Sequence, residues 1–242
     1  MSEPFDLVIR GGTAVLPWGE EATDIGVRRG QIAALGVPAG APAAAVVQAR
    51  GLHVLPGLID PHVHLRDPGD AAVESIATGT RAAVLGGITS VFDMPNTTPP
   101  ITNAERLAAK QAHAERVAWC DVGLYVGATK ENVADLAALE TGRAVCAIKV
   151  FAGSSTGDLL VEDDASLERV MRAGRRRIAY HSEDEYRLRA RRGMFKAGEP
   201  YARHAEWRDE ECAFLGTRRI LALARETARP AHILHVSTAE EL

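Results

Sequence analysis

Two rhythms divide the chain. Over residues 5 to about 55, apolar and polar positions alternate. Phe5, Leu7 and Ile9 precede a turn at Gly11-Gly12, Ile25 and Val27 precede a turn at Arg29-Gly30, and Ile32 and Leu35 follow it. Period-two alternation between Gly-centred turns predicts short, half-buried antiparallel strands. Residues 1–55 are therefore read as a small N-terminal β-module, part of a β-sandwich, with the Ala/Pro/Gly stretch 36–45 as a loop. From residue 56 the rhythm lengthens. Apolar runs ending near Asp60, Phe92, Val126, Val150, Tyr180 and Val236 alternate with helical patterns. The first helix carries Val73, Ile76, Ala77 and Val84 and closes at Gly86-Gly87, and capping boxes are expected at Thr102…Glu105, Ser182…Glu185 and Ser237…Glu240. Strand-then-helix repeats imply a parallel sheet covered by helices, an α/β fold of the TIM-type (β/α)8 class. Six strands are counted over 56–242, whereas a closed barrel needs eight. The expectation is an incomplete barrel, truncated after about six strands, in a fragment of a longer protein.

Composition changes little in this picture. The 242 residues are 46% hydrophobic and 25% charged with a net charge of −4, ordinary for a soluble globular chain. A mildly acidic balance gives no reason to expect nucleic acid or an anionic membrane as partner. The basic clusters Arg172–Arg177 and Arg187–Arg192 read as solvated helix faces. Cys120, Cys146 and Cys212 are sparse and match no metal or redox spacing, as reduced cytoplasmic thiols would be. The start, Met1-Ser-Glu-Pro-Phe-Asp, lacks the regions of a signal peptide, and no apolar run approaches the roughly 20 residues that span a bilayer. A cytoplasmic location is expected.

The chemistry gathers at the C-terminal ends of the strands, where parallel barrels build active sites. His62 and His64 lie two apart at the first strand end, so both imidazoles can face one metal, although two surface histidines after a turn would read the same way. His181 and His235 end the fifth and sixth strands, each just before an expected helix start, whereas His53, His113, His204 and His232 have no such placement. Lys149 interrupts the apolar strand Val145–Phe151. It is a snorkelling or ion-paired lysine, or a desolvated, reactive amine able to take up carbon dioxide as a carbamate, a bidentate anion that can bridge two metals.

Five stretches carry a resemblance: Pro56-Gly-Leu-Ile-Asp-Pro-His-Val-His-Leu-Arg-Asp-Pro-Gly69, Asp93-Met-Pro-Asn-Thr-Thr-Pro99, Ile148-Lys-Val-Phe-Ala-Gly-Ser-Ser-Thr-Gly157, His181-Ser-Glu-Asp184 and His232-Ile-Leu-His-Val-Ser-Thr238. Together they resemble the amidohydrolase superfamily, and within it the dihydroorotases. The resemblance implies two zinc ions. His62 and His64 would bind one, His181 and His235 the other, with carboxylated Lys149 and a hydroxide bridging them. It implies attack of that hydroxide on the ring amide of L-dihydroorotate, opening it to N-carbamoyl-L-aspartate, a reaction reversed in pyrimidine biosynthesis. It also implies a catalytic Asp after the eighth strand. The sequence does not reach that position, so the chain is expected to be inactive alone. Its β-module would lack completing strands and keep edges prone to association, a homodimer being one form this can take.

Arg66 and Asn96 are placed by the resemblance on the carboxylate of a small-molecule substrate; Arg offers a planar fork that matches it. Arg66 paired with Asp67, or Asn96 stabilising a turn, are the plainer readings. An allantoinase or hydantoinase-type cyclic amidase is the nearest alternative. A non-catalytic dihydroorotase-like partner of aspartate carbamoyltransferase is another, but the five candidate ligands His62, His64, Lys149, His181 and His235 are all present.

Overall fold

A computed structural model describes residues 3–155, 159–194, 196 and 198–242. Met1 and Ser2 of the N-terminus, and Thr156 and Gly157 of the Ile148–Gly157 stretch, lie outside the described residues. The chain divides into two compact units, Met1–Gly57 and Leu58–Leu242.

The first unit holds β1 (Phe5–Arg10), β2 (Thr13–Leu16), β3 (Gly19–Ala22), β4 (Ile25–Arg28), β5 (Gln31–Leu35), β6 (Ala43–Gln48) and β7 (His53–Val54). They form two sheets, β5-β4-β1-β6 and β3-β2-β7. The turn expected at Arg29-Gly30 is present, with φ of 52° and 72°, the left-handed pair that a tight hairpin requires. Three expectations change. The pairing is not purely antiparallel, since β1–β6 and β2–β7 run parallel. The loop expected over 36–45 gives way to β6 at Ala43, because β1 offers its free edge there. The deeply buried side chain of β1 is Val8, while Phe5, Leu7 and Ile9 are half-buried.

The second unit is a six-stranded sheet. Its strands are β8 (Leu58–Val63), β9 (Ile88–Asp93), β10 (Asp121–Gly127), β11 (Val145–Phe151), β12 (Ile178–His181) and β13 (Ala231–Ile233), side by side in chain order. Every neighbouring pair is parallel. The helices between them are α1 (Ile76–Leu85), α2 (Ala104–Val117), α3 (Leu136–Leu139), α4 (Asp164–Arg172), α5 (Glu185–Arg191), α6 (His204–Trp207) and α7 (Glu210–Thr227). Strand alternation divides the apolar side chains into two layers. Leu124, Val126, Ile148, Val150, Ile178 and Tyr180 pack with helix residues such as Leu167, Val170 and Ile220. Tyr125, Ala147 and Ala179 point to the other face, with Met94 and Leu234. Each buried Leu, Ile or Val contributes about 1.5–3 kcal/mol, and the period of two sends Lys149 and His181 to the face of Ala147 and Ala179.

The expected helix starts need correction. The cap of α2 is Asn103, whose side chain accepts from Arg106 N, and that of α5 is Asp184, accepting from Arg187 N. Asn and Asp reach the second or third amide as well as Ser or Thr does, and here Asn103 lies one residue and Asp184 two residues closer to the helix than the expected caps. After Ser237 there is no helix among the described residues; the Glu241 carboxylate accepts from Ser237 N and Thr238 N instead. A full capping box does occur, at Ser75 and Thr78 of α1. That helix begins at Ile76, leaving Val73 exposed ahead of it. The sixth strand ends at Ile233, two residues before His235. Cys120, Cys146 and Cys212 are free, and among the described residues no helix is long and apolar enough to cross a membrane.

Candidate metal centre

Lys149 is the most deeply buried of the candidate groups, at 1% exposure. Its ammonium lies 4.5 Å over the Phe151 ring, and burial draws its pKa down to about 7. A substantial fraction of the amine is thus neutral near neutral pH, as carbamate formation requires.

The four histidines stand in two facing pairs. His62 Nε2 lies 3.2 Å from His64 Nε2, and His181 Nδ1 lies 3.0 Å from His235 Nε2. The pairs adjoin, with the His62 and His235 rings 5.7 Å apart between centroids. His62 and His235 are held neutral, at about 4, first by burial; the Lys149 charge adds to this for both. His64 is lowered by burial as well, against a hydrogen bond to Asn96. Two of the rings, those of His64 and His181, are held from outside by hydrogen bonds, and the other two histidines are placed by their backbone. His62 follows Pro61, whose carbonyl accepts from the Tyr125 hydroxyl at 3.0 Å, and His64 Nδ1 lies 2.8 Å from Asn96 Oδ1. His181 Nε2 lies 2.6 Å from Glu183 Oε2, and His235 sits in a left-handed turn with φ of 41°. Burial alone would raise the Glu183 carboxyl, but the hydrogen bond from His181 and the nearby cations bring it below its usual range.

Arg66 lies beside this group, between two anchors supplied by α2. Leu65 N donates to Asp93 Oδ1 at 2.9 Å, and Asp93 Oδ2 pairs with Lys110 Nζ at 2.6 Å, with both charged side chains almost fully buried. On the other side, Asp67 Oδ2 is 2.9 Å from His113 Nε2. Arg66 is thus not paired with Asp67, and among the described residues no hydrogen bond or ion pair engages its guanidinium. Sequence reasoning passed over Asp93, Lys110 and His113. Lys110 could have been noticed, because it interrupts the buried stripe Leu107, Lys110, Ala114 of α2.

Among the described residues, no three His, Cys, Asp or Glu side chains form a metal cluster. The candidate donors are instead two histidine pairs with Lys149 close enough for its charge to act on His62, His64 and His235, and that lysine becomes a donor only as its carbamate. The pair spacing suits a metal: two nitrogens at about 2.0–2.1 Å from one tetrahedral zinc stand about 3.3 Å apart. An outer nitrogen held by a hydrogen bond, as at His64 and His181, is also what orients a metal ligand. A cavity of about 620 Å³ opens beside the second pair, bounded by His181, His235, Glu183, Arg208, His204 and Thr238.

Among known proteins, the chain is 36% identical to an allantoinase of Deinococcus radiodurans over 97% of its own length and 54% of that protein's. It is 32% identical to a dihydroorotase of Pyrococcus horikoshii over 80% of its own length and 40% of the relative's. In structure it is similar to an L-hydantoinase (dihydropyrimidinase) from Arthrobacter aurescens, with a TM-score of 0.89 at 24% identity over 98% of this chain and 54% of that one. A dihydropyrimidinase from Brevibacillus agri gives a TM-score of 0.82 at 26% identity, over 97% of this chain and 52% of that one. The chain therefore spans about half the length of the relatives it matches. The barrel-type architecture, with its sheet of six parallel strands, agrees with these structures. The profile of the Amidohydrolase family matches residues 53–214, about two thirds of the sequence, and the chain belongs to that family.

Proposed function

We propose that this chain carries the metal-binding half of a cyclic-amide hydrolase of the allantoinase and hydantoinase type. The observation that carries the reading is the convergence of two close histidine pairs beside the desolvated Lys149. His62 and His64 would hold one divalent ion, His181 and His235 a second, and carboxylated Lys149 would join them. Bound metal would supply Lewis acidity at a ring carbonyl and a water of lowered pKa. The protein's own part is to lower the pKa of His62, His64 and His235 by burial, to hold the outer nitrogens of His64 and His181 and to keep the Lys149 amine reactive. The names of the relatives favour a cyclic ureide such as allantoin or hydantoin over the dihydroorotate expected from the motifs.

One observation supports dihydroorotate as a second reading. The Arg66 guanidinium, close enough for its charge to act on His64, has no hydrogen-bond or ion-pair partner among the described residues, and dihydroorotate, unlike allantoin or hydantoin, bears a carboxylate for it. Since the chain is expected to be inactive alone, zinc-loaded full-length protein assayed with allantoin, hydantoin and L-dihydroorotate separates the readings. Turnover of the ureides alone supports the first, and turnover of dihydroorotate alone replaces it with the second. Stoichiometric zinc without turnover of any of the three would leave the metal centre in place and move the substrate elsewhere. Absence of bound zinc would overturn the centre itself and favour a non-catalytic partner.

A further inference from the structure

We infer that Glu183, clamped by Arg208, is a positioning residue that fixes the ring of His181 so that its Nδ1 faces His235. This inference rests on the metal-centre reading and concerns the machinery behind it. In a neutral imidazole one nitrogen carries the proton and the other the lone pair, and the partner of the first decides which is which. At His64 the outer nitrogen is Nδ1, against Asn96 Oδ1, which leaves Nε2 toward His62. At His181 the arrangement is reversed. Nε2 is directed to Glu183 Oε2 at 2.6 Å, and a carboxylate can only accept, so the proton is on Nε2 and the lone pair of Nδ1 points to His235. His64 and His181 thus need opposite tautomers, and Glu183 selects that of His181.

The carboxylate is itself immobilised. Arg208 Nη1 donates to the same Glu183 oxygen, and Arg208 Nη2 donates to the Ser154 carbonyl at 2.6 Å. The guanidinium also lies 4.8 Å from the Trp207 ring. Ser154 is held on its other side, its amide and hydroxyl both donating to Glu185 Oε2 at 2.7 and 2.6 Å. Gly153 completes the seat, since a Cβ there would come within 2.6 Å of the Glu183 carbonyl. His181 is therefore tied through Glu183 and Arg208 to the loop that follows the Lys149 strand.

Cobalt(II) binding by the full chain tests this, read as affinity by chelator competition and as the visible absorption of the bound ion. Wild type, Glu183→Ala, Glu183→Gln, Arg208→Lys, His181→Ala and the Glu183→Ala/His181→Ala double variant are compared, with folding checked by circular dichroism. Loss of an outer partner of a ligand typically weakens metal binding by about 10- to 100-fold. Glu183→Ala is expected to weaken the ion at the His181–His235 pair by that factor and to change its spectrum, Glu183→Gln and Arg208→Lys by less. In the His181→Ala background, Glu183→Ala is expected to add nothing. Wild-type affinity and spectrum in folded Glu183→Ala or Glu183→Gln, or an undiminished further loss in the double variant, overturns the inference while the metal reading stands. Should Glu183→Ala fail to fold, Glu183→Gln and Arg208→Lys decide by the same criterion. A wild-type chain that binds no cobalt overturns the metal reading and this inference with it.

Discussion

Gly216, midway along α7, lies against the carbonyl of Ser182, and a Cβ at that position would overlap the oxygen outright. The helix can come this near to the His181 segment only because residue 216 has no side chain. Alanine there would ordinarily strengthen a helix by about 1 kcal/mol. Gly216→Ala is expected to destabilise instead, by about 1–3 kcal/mol for an overpacked contact. Chemical unfolding of the variant checks this; unchanged or increased stability would mean that the contact is looser than described.

The Asp93–Lys110 pair links α2 to the segment that bears the first histidines. Removing one partner strands a buried charge, so Asp93→Asn and Lys110→Met are each expected to cost about 3–5 kcal/mol. The double variant Asp93→Asn/Lys110→Met is expected to lose far less than the sum, which a double-mutant cycle of unfolding free energies measures.

The same pair predicts an unusual pH dependence. Burial raises the Asp93 carboxyl to about 6, against the opposing pull of Lys110 and the Leu65 amide. A group whose pKa is higher in the folded state takes up its proton there first, so its contribution is fully present below 3.8 and is lost as pH rises through about 6. The stability difference between the parent and Asp93→Asn is therefore expected to grow as pH falls from 6 toward 4. A difference independent of pH over that window would count against the shift.

Lys149 keeps an amine where a hydrocarbon would be more stable. Its pKa falls from 10.5 to about 7, and each unit represents about 1.4 kcal/mol. Lys149→Met is expected to raise the stability of the metal-free chain at neutral pH by up to a few kcal/mol while reducing bound zinc from two ions to one or none. Thermal melts with and without chelator, alongside metal analysis, separate the two effects. A less stable metal-free variant would mean that the amine is better solvated than its burial indicates.

For Arg66 the expectation is substrate-dependent. Arg66→Ala should lower kcat/KM for a carboxylate-bearing ring by about 10- to 100-fold, the loss expected of a charged contact, and leave uncharged ureides nearly unaffected. Equal losses on both would assign Arg66 to the architecture of the loop.

The strand-and-helix rhythm was legible because the central strands β10, β11 and β12 are buried on both sides and helices such as α4 and α7 on one, which leaves apolar runs and stripes at fixed periods. The strand-end histidines and Lys149 stood out for the same reason, as polar groups where the rhythm calls for apolar ones. Helix starts were less legible: Ser182 and Asp184 are both good caps, and only the packed geometry chooses Asp184. The anchors were not legible at all, since Asp93 and Lys110 are 17 positions apart and meet only because α2 lies back along its sheet. Substrate preference was not legible in short motifs; Arg66 and Asn96 matched one pattern, yet Asn96 also serves His64, a contact that no spacing reveals.

β8 and β13 stand at opposite ends of the sheet order, yet the rings of His62 and His235 are 5.7 Å apart. Each histidine pair is set locally, but the gap between pairs is the sum of the twists at five strand junctions. The centre is therefore a gauge of curvature. A substitution in the helix-facing layer, at Val150 or Ile178 for instance, would leave both histidine pairs intact and still change how far apart they stand. A ligand that spans them would act as a clasp, turning part of its binding energy into the bend of the whole sheet.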